Sequence, residues 1–368
     1  MLLKLLTTLC LLALYGSVFA ADCYVWQREH TPYVKRAVKE FHNFFCGRLL
    51  YLAGEIENSG KVIKIPAPDC IVHGSSGAVV RIHVMEMKKS SPQKLAAKIA
   101  EIFQPWHKAG CDELQIDLDA PEKRLAYYRI LMNELKKLVP DDVKLSATVL
   151  PCHLDHTKEF SLFAKSVDYF VLQVHYVHFK GKEILLFDKN TACRAILKAQ
   201  KFRAEFKVAL PLYIQKIRDN FIHCNWQDVA DCAKFCRDRK IAVIGFRLGN
   251  TADRLSFDLE TAQNILNGKI YSPRLELSWA KDGDNTYILY IKNTGFLYRK
   301  VRVQCRWKDI SDIRDFDILN GTIVSDITEL RLLDILLPFP GESRPVLWIK
   351  TSGKGNPELE LNIISKEQ

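Results

Sequence analysis

CDELQIDLDAPEKRL, residues 111–125, decides the fold. Leu114, Ile116 and Leu118 alternate with Gln115, Asp117 and Asp119, and Pro121 ends the alternation ahead of a stretch with helical spacing. Side chains on a strand point to opposite faces at every second residue. The spacing therefore predicts a strand from Glu113 to Ala120 whose amide and two carboxyls share one face. Burying such a face costs free energy unless a ligand, a water or a donor meets it. Two carboxylates at i and i+2 at the end of a strand mark the candidate active site.

The same strand-then-helix unit recurs on both sides. Strand-like runs fall at 24–29, 48–56, 79–85, 144–153, 169–177, 206–213 and 241–249, with an extra strand expected at 61–65. Thr31-Pro32 and Ser91-Pro92 read as helix starts, the second opening a stripe of Leu95, Ile99, Ile102, Phe103 and Trp106 that stops at Gly110. Pro121 sets up a helix with Leu125, Tyr128, Leu131, Leu135 and Leu138, and further helical segments are expected near 158–166, 191–203, 226–239 and 257–267. Eight strands alternating with helices over about 245 residues fit an α/β (β/α)8 TIM barrel. The alternative, a doubly wound open sheet, usually carries a glycine-rich phosphate loop after its first strand, and none follows Tyr24–Glu29. No cofactor is expected.

After Ile270-Tyr271-Ser272-Pro273 the texture changes to short alternating runs at 275–279, 286–293, 300–307, 346–350 and 359–365, split by turns such as Asp282-Gly283 and Asn293-Thr294-Gly295. The expected organisation is a barrel over 21–271 and a small β-sandwich over 272–368. Residues 1–20 carry one early Lys4, an apolar run and Val18-Phe19-Ala20, the pattern of a cleaved secretory signal. No later segment approaches a membrane span, and a periplasmic or secreted location is expected. The net charge of +10 falls to +9 without Lys4, the one charged residue of 1–20. That basicity suits anionic surroundings such as a cell envelope, whereas the scattered bases form no Lys/Arg run for nucleic acid. Cys10 leaves with the signal; Cys232 and Cys236, one helical turn apart, read as core residues, and no CxxC pair suggests a zinc site.

Function in a barrel gathers where strands end, at the C-terminal mouth. By parity the polar groups there are Gln27, Glu29, Glu55, Arg81, His83, Gln115, Asp117, Asp119, Ser146, Thr148, Gln173, His175, Tyr213 and Arg247. Trp26, Arg28 and Tyr176 have the opposite parity but lie within reach of the rim. Acids, amides and aromatic surfaces hydrogen-bond and stack sugars, so a carbohydrate ligand or substrate is expected.

The run Ile116-Asp117-Leu118-Asp119-Ala120-Pro121 is similar to the fourth-strand motif Asp-x-Asp-x-Glu of the chitinase-like glycosidases of family 18. The resemblance puts Asp119 in the place of the proton-donating glutamate and Asp117 in that of the aspartate orienting the substrate's acetamido group. Asp112 matches the motif's first aspartate, and Gln115 stands where the family has another. The sixth-strand Met-x-Tyr-Asp is replaced by Gln173-Val174-His175, and the seventh and eighth strands offer no carboxylate as a retaining nucleophile. YVWQR, LQIDLDAPEKRL, LSATVLP, VDYFVLQVH and ALPLY together resemble a bacterial family of secreted barrels described as a domain of unknown function, which implies a glycosidase-like barrel without an established substrate.

Three chemistries compete. In a glycoside hydrolase, Asp119 is the general acid and Asp117, Glu29 or Glu55 the second carboxylate, because glycosidic cleavage needs one carboxyl protonated and another ionised. Two acids at i and i+2 repel, which raises the pKa of one of them. A saccharide-binding barrel would keep the pocket without the chemistry. A metal-dependent hydrolase would use His153 with His156 and His175 with His178, yet strand residues three apart face opposite ways, so ordinary rim histidines are the simpler account.

Overall fold

A computed structural model describes residues 21–180, 183–217, 220–222, 224–250, 253, 255–268, 275–293, 300–307, 313–319, 322–327, 330–336, 343–352 and 359–364. The expected signal and the turns at 270–273 and 294–295 lie outside the described residues. Eight parallel strands form a closed barrel: β1 Ala21–Val25, β2 Leu49–Ile56, β3 Ser76–Ile82, β4 Glu113–Asp117, β5 Lys144–Val149, β6 Tyr169–Gln173, β7 Phe206–Pro211 and β8 Ala242–Phe246. Closure is explicit, since β1 pairs in parallel with both β8 and β2. Helices α1 Pro32–Phe44, α2 Pro92–Lys108, α3 Leu125–Lys136, α4 Thr157–Ala164, α5 Lys189–Gln200, α6 Trp226–Asp238 and α7 Leu259–Leu266 follow the strands, except after β2, where a short antiparallel strand, Val62–Lys64, takes the helix's place.

The helix starts follow from their capping chemistry. Thr31, Ser91 and Asn225 each accept a backbone N–H of the first turn, and proline follows the first two. On α2 the stripe Leu95, Ile99, Ile102, Phe103 and Trp106 is buried, each large side chain contributing about 1.5–3 kcal/mol. Trp106 Nε1 donates to the Ile65 carbonyl at 3.0 Å. At Gly54 in β2 a Cβ would stand 2.8 Å from both Ile102 Cγ2 and the Ile63 carbonyl, so glycine permits the close approach.

Several strands are shorter than their alternation implied. β4 ends at Asp117, whose partner Arg81 closes the ladder with β3, and just beyond it Leu118 N donates to the Thr148 side chain while Leu118–Pro121 leave the sheet. β5 gives way after Val149 to a 3-10 turn, Pro151–Asp155, and β6 to an antiparallel hairpin, His175–Lys180 with Glu183–Phe187. β1 lies earlier than 24–29. Its polar Asp22 obscured the pattern, and is accommodated by accepting Arg48 N at 2.8 Å and pairing with Lys207 at 2.6 Å. Inward-pointing Tyr24, Leu50, Val79, Tyr169, Val171, Ala209 and Ile244 fill the barrel, with Trp26 and Phe246 packed above them.

A second compact unit starts at Tyr271. It contains two four-stranded antiparallel sheets, one of Leu275–Lys281, Thr286–Asn293, Ser343–Thr351 and Ile313–Ile318, the other of Thr322–Ile327, Leu330–Leu336, Lys300–Trp307 and Leu359–Ile364. Tyr287, Leu289 and Ile291 are buried in strict alternation. The edge strands Ile313–Ile318 and Thr322–Ile327 escape sequence detection because Asp315, Asp317 and Asp326 dilute their apolar pattern, as charges do on sheet edges.

Candidate active site

Along β4 the inward face carries Glu113, Gln115 and Asp117, and Asp119 follows beyond the strand. Glu113 is fully buried and accepts from Ser146 Oγ at 2.7 Å and from the Tyr169 hydroxyl, with Arg48 Nε 3.4 Å from its other oxygen. Gln115, also fully buried, accepts from the Tyr24 hydroxyl at 2.5 Å and donates to Ser146 Oγ at 3.0 Å. It supports the site from below and does not line the cleft.

Asp117 is half-buried at the floor of the mouth. Its Oδ1 accepts both Thr148 Oγ1 and Gln173 Nε2, each at 3.0 Å. With Oδ1 engaged twice, Oδ2 is the oxygen left to carry a proton or meet a ligand. Burial, reinforced by the charge of Asp119, pushes the Asp117 carboxyl up to about 6 against the pull of Thr148, Arg81 and Gln173. Asp119 is solvent-exposed, and among the described residues its side chain has no hydrogen-bond partner. The protein wall behind it raises its pKa, opposed by the positive charge of Arg81.

The segment bearing Asp119 is held on both sides. Leu118 N donates to Thr148 Oγ1 at 3.2 Å, and His153 Nε2 lies 2.7 Å from the Ala120 carbonyl. His153 Nδ1 accepts from Leu150 N at 3.2 Å, so the imidazole proton sits on Nε2 and is donated to Ala120. Burial lowers the pKa of this histidine and keeps it neutral. His156 instead pairs with Glu122 at 2.8 Å, and the His178 side chain lies outside the described residues. Among the described residues no group of three or more His, Cys, Asp or Glu is placed to hold a metal ion. Cys232 and Cys236 are fully buried in α6, and among the described residues no helix is long and apolar enough to cross a membrane.

Two cavities meet at Asp117, Asp119 and Arg81. The larger, about 860 Å³, has aromatic walls from Trp26, Tyr176, Tyr213 and Phe246, with Gln173, His175 and Arg247 alongside. Trp26 and Phe246 stand 4.9 Å apart between ring centroids, and Tyr213 and Phe246 5.3 Å. His175 stacks on Phe246 at 5.2 Å, and burial pulls its pKa down to about 4, so it is neutral at physiological pH. Arg247 is tied to Asp253 at 2.7 Å. The second cavity, about 630 Å³, is polar, with Arg28, Glu55, Glu57, Asn58 and His83 on its walls.

On the first strand the expected parity is reversed. β1 ends at Val25, its inward residue is Tyr24, and the same face continues to Trp26 and Arg28. Gln27 turns away to donate to the Leu248 carbonyl at 2.9 Å, and Glu29 is exposed without lining either cavity. Glu55 reaches the cleft because a register shift between Leu52 and Gly54 brings it opposite Arg81. Phe246 went unrecognised, since an apolar residue at a strand end gives no signal separable from core packing. His153 went unrecognised as an anchor of the Asp119 loop, since only the folded chain brings it to Ala120.

Residues 76–225 match the model of a domain of unknown function (DUF3142). The spore cortex-lytic enzyme SleL of Bacillus cereus superposes with a TM-score of 0.50 at 10% identity, over 68% of this chain and 74% of that one. A putative alpha-L-fucosidase of Bacteroides thetaiotaomicron (TM-score 0.48, 7% identity, 69% and 95% coverage) and the GH18 chitinase ChiB of Flavobacterium johnsoniae (0.42, 9%, 68% and 90%) superpose less well. At such identities the likeness is one of fold: a glycosidase-like TIM barrel. No curated protein matches the chain by sequence.

Proposed function

We propose that the protein is a glycoside-hydrolase-like enzyme acting outside the cytosol on a polysaccharide or glycoconjugate, with Asp119 as general acid and Asp117 as its partner carboxyl. The observation that carries this is the Asp119 carboxyl, without a hydrogen-bond partner among the described residues and held in a pinned loop beside Asp117 where two cavities meet at the barrel mouth. Both carboxyls are raised above their ordinary values, as neighbouring acids that share a proton are, and Asp119 is the one open to a leaving oxygen. Asp119, open to the cleft, delivers the proton to the leaving oxygen. Asp117, whose Oδ2 has no hydrogen-bond partner among the described residues, serves the opposite step, because both oxygens of Glu55 face arginines and Glu29 is exposed outside the cleft. The secretory pattern of residues 1–20 and the fold shared with a spore cortex-lytic enzyme support envelope glycans as the first substrates to screen.

Wild type and Asp119→Asn are to be compared in a hydrolysis screen of envelope and capsule polysaccharides. Loss of the general acid should cut turnover by about 10²–10⁴-fold, and a variant with full activity would sink the assignment. A second function, saccharide binding without cleavage, is favoured by the ends of β6 to β8, where Gln173, His175, Tyr213 and Arg247 line the cleft in place of a carboxylate. An oligosaccharide that binds and stays intact over days selects it.

A further inference from the structure

The two arms of the cleft differ in chemistry. The arm beside Trp26, Tyr213 and Phe246 offers ring faces. The other arm is built on Glu55, a buried carboxylate whose two oxygens each take a different arginine: Oε2 lies 2.5 Å from Arg28 Nη2 and Oε1 lies 3.3 Å from Arg81 Nη1. The Glu55 side chain is 7% exposed, whereas those of Arg28 and Arg81 are 60% and 55% exposed. One buried anion thus draws two guanidinium groups together, Arg81 through a hydrogen bond and Arg28 through an ion pair. Both guanidinium-bearing side chains line this arm.

An arginine that only neutralised Glu55 would have no reason to be paired with a second one, since a single bidentate guanidinium satisfies a carboxylate. The two cations are also not equivalent. Arg81 acts electrostatically on both Asp117 and Asp119, while Arg28 pairs with Glu55. Arg28 is therefore the cation not already shared with the acid pair. Glu57 lines the same arm, so the arm is no general sink for anions. What it provides is donors on planar groups gathered by Glu55, a geometry that suits a carboxylate.

Resting on the glycan reading above, we infer that the Arg28–Arg81 arm binds a carboxylate-bearing sugar, so that the substrate class is an acidic glycan running across the barrel mouth. The unit on one side of the acid pair stacks on the aromatic arm, and its acidic neighbour places its carboxylate on the guanidinium donors of Arg28 and Arg81.

The experiment measures binding to the full chain by calorimetry. The probes are oligosaccharides containing glucuronate, galacturonate or muramate, and the same oligosaccharides after reduction of their carboxyls to alcohols. At least one acidic probe should bind, its reduced form should bind roughly tenfold or more weakly, as expected for loss of one charge-assisted hydrogen bond, and Arg28→Gln should erase that preference. Arg28→Lys, which keeps the charge next to Glu55 but not the planar fork, should retain only part of it, and the thermal midpoint of each variant reports whether the barrel is intact. Equal binding of acidic and reduced probes, or a preference unchanged in Arg28→Gln, overturns the acidic-glycan assignment while leaving the glycan reading standing. No binding of any acidic or neutral oligosaccharide overturns both.

Discussion

Asp117→Asn should make the barrel more stable, and increasingly so as the pH rises. In the folded protein the Asp117 carboxyl is pushed up to about 6 from an ordinary value of 3.8, chiefly by burial and then by Asp119. Between those two values the folded state holds a proton that the unfolded state has released, so stability falls as pH rises through the window and the penalty is complete above about 6. The difference of about 2.2 pH units corresponds to about 3 kcal/mol at pH 8, shrinking to about 1 kcal/mol at pH 4.5. Asparagine retains an oxygen for Thr148 and Gln173 and carries no charge, so it escapes the penalty. Thermal unfolding of both proteins from pH 4.5 to 8 measures the difference. For a domain of this size the variant should melt roughly 6–12 °C higher at pH 8. A gap that stays constant with pH, or a wild type that is the more stable at pH 8, would refute the assignment of a desolvated, Asp119-coupled carboxyl.

Three further outcomes are expected. His153→Ala leaves the Ala120 carbonyl and the Leu150 N–H without their buried partner, costing about 1–3 kcal/mol in thermal stability; because it loosens the Asp119 loop, turnover should drop more than affinity. Glu113→Ala strips the fully buried carboxylate from Tyr169, Ser146 and Arg48 and should cost about 3–5 kcal/mol in denaturant titration. Trp26→Ala should weaken oligosaccharide binding by roughly two- to tenfold, measured by calorimetry, by removing one face of the aromatic arm.

The barrel was legible because its repeated signal is strong. Caps at Thr31, Ser91 and Asn225 and buried stripes such as that of α2 carry the helical period over whole elements. Strand ends were less legible, since the residues beyond β4, β5, β6 and β8 keep an alternating composition while the ladder that would pair them has stopped. Parity then misplaced the cleft residues of β1, where Asp22 interrupts the apolar pattern and its partner Lys207 is 185 residues away. The acid pair was legible because no apolar core explains it. Of its surroundings, Arg81, Thr148 and Gln173 were legible through strand parity, whereas the hold of His153 on Ala120 was not, because it comes from a turn after β5 that only the folded chain brings there.

The inward face of β4 also shows why Asp119, among four similar side chains, is the one suited to chemistry. From the base upward, Glu113 meets two hydroxyls and a guanidinium, Gln115 a tyrosine and a serine, and Asp117 two donors on one oxygen. Asp119 meets no hydrogen-bond donor among the described residues. The lower groups are polar because the barrel's base is built from charges and hydroxyls, as Asp22 with Lys207 and Arg48 with Asp112 show, and their hydrogen bonds offset their desolvation. The same face that is structural along the strand is open at the top, where Asp119 lies beyond the end of β4. A carboxyl whose backbone is fixed by Thr148 and His153 while its oxygens remain unclaimed is pre-positioned for a ligand without reorganisation, which is the condition for effective proton transfer to a bound glycosidic oxygen.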